Sequence, residues 1–128
     1  MPRMKKHYSG ERTLKQQLGQ QAENLAEAFL REQGLVFQDR NFNCKLGEID
    51  LIFSDNDQLV FVEVRFRRNS ARGSAAESIT RRKQACIAKA AVCWLSSKQL
   101  GSKAMRFDAV LFDEEIDRDH LTWLRAIF

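Results

Sequence analysis

Residues 48–67, EIDLIFSDNDQLVFVEVRFR, constrain the fold more than any other stretch, because acids sit inside two runs otherwise suited to a buried pleated surface. Positions 49–53 and 59–66 are rich in β-branched and aromatic side chains, and Ser-Asp-Asn-Asp between them is a turn signal. The expectation is a β-hairpin. Side chains alternate across a strand, so Glu48, Asp50 and Ile52 share one face, and Phe61, Glu63, Arg65 and Arg67 share one face of the second run. A four-residue loop over 54–57 pairs Phe53 with Gln58, Asp50 with Phe61 and Glu48 with Glu63. Asp50 and Glu63 are then diagonal neighbours about 7 Å apart on one face. An odd loop would put them on opposite faces.

Desolvating a carboxylate is costly, so acids within an apolar strand need a cation or several donors. Two partners are open. One is Arg65 or Arg67 in an ordinary cross-strand ion pair. The other is a divalent metal, since Mg²⁺ takes hard oxygen ligands, commonly one or two carboxylates with waters and phosphate oxygens. Such an ion could polarise a phosphodiester and activate water.

At 128 residues and 44% hydrophobic, the chain suits one domain with a real core. It has no apolar run of about 18 residues, so no membrane span is expected. Residues 1–12 are basic and polar and lead into no apolar segment. They read as a flexible tail rather than a secretion signal, leaving 13–128 as the domain. Three cysteines without CxxC spacing argue against a disulfide framework or a zinc site and for the cytoplasm. Cys86 and Cys93 read as buried small residues. The net charge of +4 is unevenly spread: over 65–89 Arg65, Arg67, Arg68, Arg72, Arg81, Arg82, Lys83 and Lys89 oppose only Glu77, while over 108–119 six acids oppose only Arg118. A polyanion ligand would select such asymmetry, and a solvated face is the alternative.

In chain order, apolar residues at helical spacing predict a helix from Thr13 to about Gln33, with Gly34 as its stop and Glu23 at the margin of its apolar stripe. Residues 35–41 predict a first or edge strand and 43–47 a turn, with Arg40 and Asn41 able to face a ligand. After Arg68 a polar loop carries Arg72. A second helix is expected over 80–97, with Thr80 as N-cap and Ile87, Ala88, Ala91, Trp94 and Leu95 as its apolar face. Arg81, Arg82 and Lys83 then stand in its first turn against the helix dipole, which makes more sense if an anion binds there. Residues 105–112 predict another strand, and 121–128 a strand or short helix closing the core, with Trp123 as packing. His7 and His120 carry no partner pattern, and there is no GxGxxG or Walker loop. The fold class is α/β, a mixed central β-sheet flanked by helices.

Asp50, the twelve-residue gap and Glu63-Val64-Arg65 resemble the PD-(D/E)XK nuclease signature. More closely, GEIDLI at 47–52 with FVEVRFR at 61–67 resembles the YraN family of bacterial proteins, which are themselves similar to archaeal Holliday-junction resolvases. The likeness runs from about residue 13 to the C-terminus and includes Arg106-Phe107-Asp108. It implies a restriction-endonuclease-like fold and Mg²⁺ or Mn²⁺ as cofactor. Asp50, Glu63, the Val64 backbone carbonyl and Glu23 would be ligands, Asp50, Glu63 and Arg65 the catalytic set, and Glu48 an accessory acid. For Glu23 a solvated helix glutamate is the equal alternative. Nucleases of the wider group have lysine where this chain has Arg65, and guanidinium cannot act as a base. Lys83 and Gln84 resemble a Lys-Gln pair of YraN-like proteins, which makes Lys83 the candidate for the missing amine.

The leading expectation is a metal-dependent nuclease acting on DNA, possibly branched, with Arg67, Arg68, Arg72, Arg81, Arg82 and Lys83 binding nucleic acid. A non-catalytic nucleic-acid-binding module of the same fold is the alternative, and an interaction protein using the same sheet is a third. A homodimer follows only by analogy with resolvases.

Overall fold

The computed structural model describes residues 13–69, 71, 73–101 and 103–128; the expected basic tail, His7 and Arg72 lie outside these. Helix α1 (Leu14–Glu32) begins at a reciprocal cap: Thr13 Oγ1 accepts from the Gln16 amide at 3.1 Å, and the Gln16 side chain accepts from the Thr13 amide at 3.0 Å. Strands β1 (Val36–Cys44), β2 (Gly47–Asp55) and β3 (Gln58–Arg67) follow, then α2 (Arg81–Ser97), β4 (Met105–Asp113) and β5 (Leu121–Leu124). The sheet order is β1-β2-β3-β4-β5, with β3 and β4 parallel and the other neighbours antiparallel. A parallel pair needs a crossover, and α2 supplies it. This is the expected α/β architecture.

Each face of the sheet is covered by one helix. Ala22, Ala26 and Leu30 of α1 pack on Leu51, Phe53, Val60, Val62, Val110 and Phe112. On the other face Ile87, Ala90, Ala91, Trp94 and Leu95 of α2 pack on Ile49, Ile52, Leu59 and Phe61. Ala90 takes the buried place expected of Ala88. Burying each larger side chain contributes about 1.5–3 kcal/mol. Among the described residues no helix is long and apolar enough to cross a membrane.

Two boundaries differ from expectation. The first strand continues through Cys44, so only residues 45 and 46 turn, rather than 43–47. The β2–β3 loop is two residues, not four: Asp55 pairs with Gln58 and Ile52, not Asp50, pairs with Phe61. The reason is local. Asn56 adopts φ +57, a left-handed conformation that Asn tolerates and a two-residue hairpin requires, and Ser54 and Asp55 join β2 in consequence, paired with Leu59 and Gln58. A shift of two does not by itself exchange the faces.

The chain end closes the core through polar and aromatic contacts. The Ile127 amide donates to the Phe107 carbonyl at 2.7 Å, and Phe128 stacks on Phe107 at 4.5 Å, continuing a row through Phe61 to Trp94. Trp123 packs edge-on against Phe29, as expected of a packing residue. Its indole N–H donates at 3.0 Å to Asp108, which is fully buried and also accepts from Arg106 Nε at 2.9 Å, Arg106 Nη2 at 3.0 Å and the Ala126 amide at 3.0 Å. Asp108→Ala strands all these donors and is expected to cost about 3–5 kcal/mol of stability by urea unfolding. A loss below about 1 kcal/mol would show that Asp108 does not hold the chain end.

Candidate active site

The β2–β3 ladder reaches its last pair at Leu51 and Val62, although both strands continue beyond it. Past that point Asp50 and Glu63 face each other, and side-chain chemistry replaces the ladder. Asp50 Oδ2 accepts the Val64 amide at 2.9 Å, and the Glu63 carboxyl hydrogen-bonds to Asp50. The two-residue turn therefore brings these acids closer than the diagonal placement expected from the sequence.

A twist of the sheet aims Asp50 into the cleft. Arg40 and Leu51 are paired on the α1 side, where Arg40 reaches Glu27 and Glu23 and Leu51 joins the α1 core. Two residues on, Phe42 and Ile49 are paired and both join the α2 core. Strict alternation would keep them on the α1 side. Both strands therefore roll over at Asn41 and Asp50, and Asn41 takes φ +54 to do so. Its side chain helps to hold the Glu23 carboxyl down. A mid-strand Asn is the one trace of this in the sequence.

The cleft has a volume of about 530 Å³ and is lined by Glu23, Glu48, Asp50, Glu63, Val64, Arg65, Arg82 and Lys83, among others. Glu48 stands exposed at its rim. Gly19 and Gly47 contribute bare backbone, and a Cβ on Gly47 would meet the Cys86 carbonyl oxygen at 2.5 Å. Opposite the acids lies the start of α2, where Thr80 Oγ1 accepts from the Lys83 amide at 3.2 Å. Lys83 Nζ is 3.8 Å and an Arg65 guanidinium nitrogen 3.7 Å from Glu63 Oε2. Both exceed hydrogen-bond length. Arg65 is steadied by Ser78, whose hydroxyl accepts from its Nε at 2.9 Å.

Other expected residues lie elsewhere. Arg67 and Arg68 line a second groove of about 680 Å³ with Lys15, Leu18 and Phe66, which meets the first at Gly19, Val64 and Arg65. Arg81 is exposed at the start of α2. Gln84 faces away from the cleft and donates to the Ile79 carbonyl at 3.4 Å.

Burial, and then the charge of Asp50, push the Glu63 carboxyl from 4.5 to about 8, against the pull of Lys83 and Arg65. Burial raises Asp50 too, with the Val64 amide and Glu63 opposing. The pair thus shares a proton near neutrality. Glu23 is raised by burial and by Asp50, while Arg40 and Asn41 hold it down. Among the described residues no three His, Cys, Asp or Glu side chains gather as a metal cage. Two adjoining carboxyls that retain a proton, however, are a donor set that a hard cation with its own waters fits.

Comparison with known proteins identifies relatives over most of the chain. A family model described as "Uncharacterised protein family UPF0102" matches residues 22–112. A UPF0102 protein of Marinomonas sp. (strain MWYL1) is 54% identical over 110 residues, 86% of this chain and 87% of the relative. One from Nitrosococcus oceani is 45% identical over 111 residues, 86% and 90% of the two chains, and one from Vibrio campbellii 44% over 113 residues, 87% and 91%.

The proton on Glu63 makes stability depend on pH with a definite sign. Between about 4.5 and about 8 the folded chain keeps a proton that the unfolded chain releases, so stability falls as pH rises through that window and levels off above it. Glu63→Gln should melt with wild type at pH 4 and several degrees above it at pH 8.5, both without metal. Equal melting at both pH values would remove the buried proton. Asn41→Val, forced into a left-handed backbone, should lose about 1–3 kcal/mol in urea unfolding, whereas Asn41→Gly should lose less.

Proposed function

The chain belongs to the uncharacterised protein family UPF0102, and we propose that it is a divalent-metal-dependent nuclease acting on DNA. The observation that carries this reading is the contact between the Asp50 and Glu63 carboxyls in a cleft that Arg65, Arg82 and Lys83 also line. Acids alone would repel a phosphodiester and cations alone would only bind it. Their juxtaposition suits holding a metal and a phosphate side by side.

Asp50 and Glu63 would hold Mg²⁺ or Mn²⁺, with the Val64 backbone carbonyl and Glu23 as the further candidates on the same cleft. When bound, the ion supplies charge that polarises a phosphoryl oxygen and acidifies water. The remaining work falls to side chains. Arg65, fixed by Ser78, orients the phosphate and neutralises charge that develops on it. Lys83 offers the amine that Arg65 cannot, on a capped helix start 3.8 Å from Glu63. Arg67 and Arg68 extend the basic track along the second groove.

The alternative, a DNA-binding module without catalysis, draws on Arg65 in the place of a lysine that could titrate. One set of measurements separates the two: cleavage and binding of duplex, single-stranded and four-way-junction DNA with Mg²⁺ or Mn²⁺. The nuclease reading expects metal-dependent cleavage that falls at least about a hundredfold in Asp50→Asn and Glu63→Gln, and Lys83→Ala that lowers kcat more than binding. Arg67→Ala should instead weaken binding and reduce its salt slope by about one. Salt-sensitive binding without cleavage in either metal would transfer the assignment to the alternative. Mg²⁺ should also raise the melting temperature of wild type at pH 8 and leave Glu63→Gln unchanged.

A further inference from the structure

Gly19 is a residue of α1 that the fold does not account for. Glycine inside a helix is less stable than alanine, because its backbone loses more freedom on ordering. Nothing in the packing offsets that loss: Gly19 lies in the body of α1, outside the left-handed region, and an added Cβ would meet nothing within 4 Å. Gly47 is the contrast, since α2 leaves no room for a side chain there. What distinguishes Gly19 is its place. With Val64 and Arg65 it lines both the acidic cleft and the second groove, where the two spaces meet. A bare stretch of helix suits the close passage of a ligand from one to the other.

The second groove combines two chemistries. Lys15, Arg65, Arg67 and Arg68 line it, and among the described residues no carboxylate does. Lys15, Arg67 and Arg68 form no ion pair among the described residues. Leu14, 62% exposed, and the half-buried Leu18 and Phe66 supply an apolar floor. A duplex presents phosphates and the edges of paired bases, which such a floor does little to hold. An unpaired strand presents phosphates and base faces together, and cations beside an aromatic side chain bind both. At about 680 Å³ the space is of the size that receives a small organic molecule, and so a short run of one strand. We propose that this groove holds an unpaired strand of the DNA substrate, with phosphates on Lys15, Arg67 and Arg68 and a base against Phe66, and that the strand crosses Gly19 into the cleft. This assignment, which rests on the reading of the cleft as a DNA phosphate site, narrows the substrate to DNA unpaired beside the bond that is cut: a fork, a flap or a single strand rather than a blunt duplex.

Binding, not cleavage, tests this. The full chain in EDTA is titrated by fluorescence anisotropy against a labelled oligo(dT) strand, a blunt duplex, and a fork with oligo(dT) arms. The single strand and the fork should bind at least about tenfold more tightly than the blunt duplex. Phe66→Leu keeps an apolar side chain against the α1 core but no ring; it should weaken single-strand binding about fivefold or more and duplex binding less than about twofold. Lys15→Ala should lower the salt slope of single-strand binding by about 0.7. Gly19→Leu should melt at or above wild type, because leucine favours helix, yet lose at least about tenfold in fork binding. Equal affinity for fork and blunt duplex overturns the proposal, as does wild-type single-strand binding in folded Gly19→Leu and Phe66→Leu; cleavage of blunt duplex with Mg²⁺ could still stand. Conversely, a single-strand preference lost in these variants, without cleavage in either metal, keeps the groove assignment and removes the nuclease.

Discussion

The Asp50 and Glu63 carboxyls touch across neighbouring strands because two residues, Asn56 and Asp57, separate β2 from β3. One residue more would turn every side chain of one strand to the opposite face and send the acid and its apolar neighbours to the wrong layers. The contact itself opposes folding, since two carboxyls are desolvated side by side. It persists because the same strands carry Leu51 and Phe53 into the α1 core and Ile52 and Phe61 into the α2 core. Apolar burial on both faces offsets a local electrostatic cost, as is common where a site rather than stability sets the arrangement.

The cations around this pair are carried on supported elements. Ser78 accepts from Arg65 and donates to the Ala75 carbonyl at 2.6 Å, and the Ala75 amide donates to Asp113 of β4 at 2.8 Å. The segment after β3 is thereby fastened at both sides of the sheet interior. Lys83 stands on a helix whose start is capped by Thr80 and whose last turn is fixed by the Trp94 indole donating to Asp39 at 2.9 Å. Positive groups held on rigid supports, yet beyond hydrogen-bond length from Glu63, can approach an incoming phosphate without first breaking a strong pair.

Much of this was legible in the residues. The two acids announced themselves by standing in strands, the Thr80 cap by its place before helical periodicity, and the fold class by a hairpin, further strands and flanking helices. Turn length was not legible, because Ser-Asp-Asn-Asp fits both a two- and a four-residue loop, and only cross-strand pairing decides between them. Nor could the sequence show that Gln84 points away while Lys83, its neighbour, reaches Glu63: adjacent helical residues diverge by about 100° around the axis. The role of Asn41 was hidden for a different reason. Its left-handed backbone is fixed by the pairing of β1 with β2, a tertiary matter to which local propensity is blind.

That same residue bears on how the molecule keeps to itself. β1 is an edge of the sheet, nine residues long, and a straight edge of that length offers its free amides and carbonyls as a template for another chain. Here the edge is broken twice, by the register shift between Phe37 and Asp39 and by the left-handed turn of Asn41. No regular strand can run alongside both irregularities in register. The twist that aims an acid into the cleft thus also guards the exposed margin of the sheet against fibrous self-association.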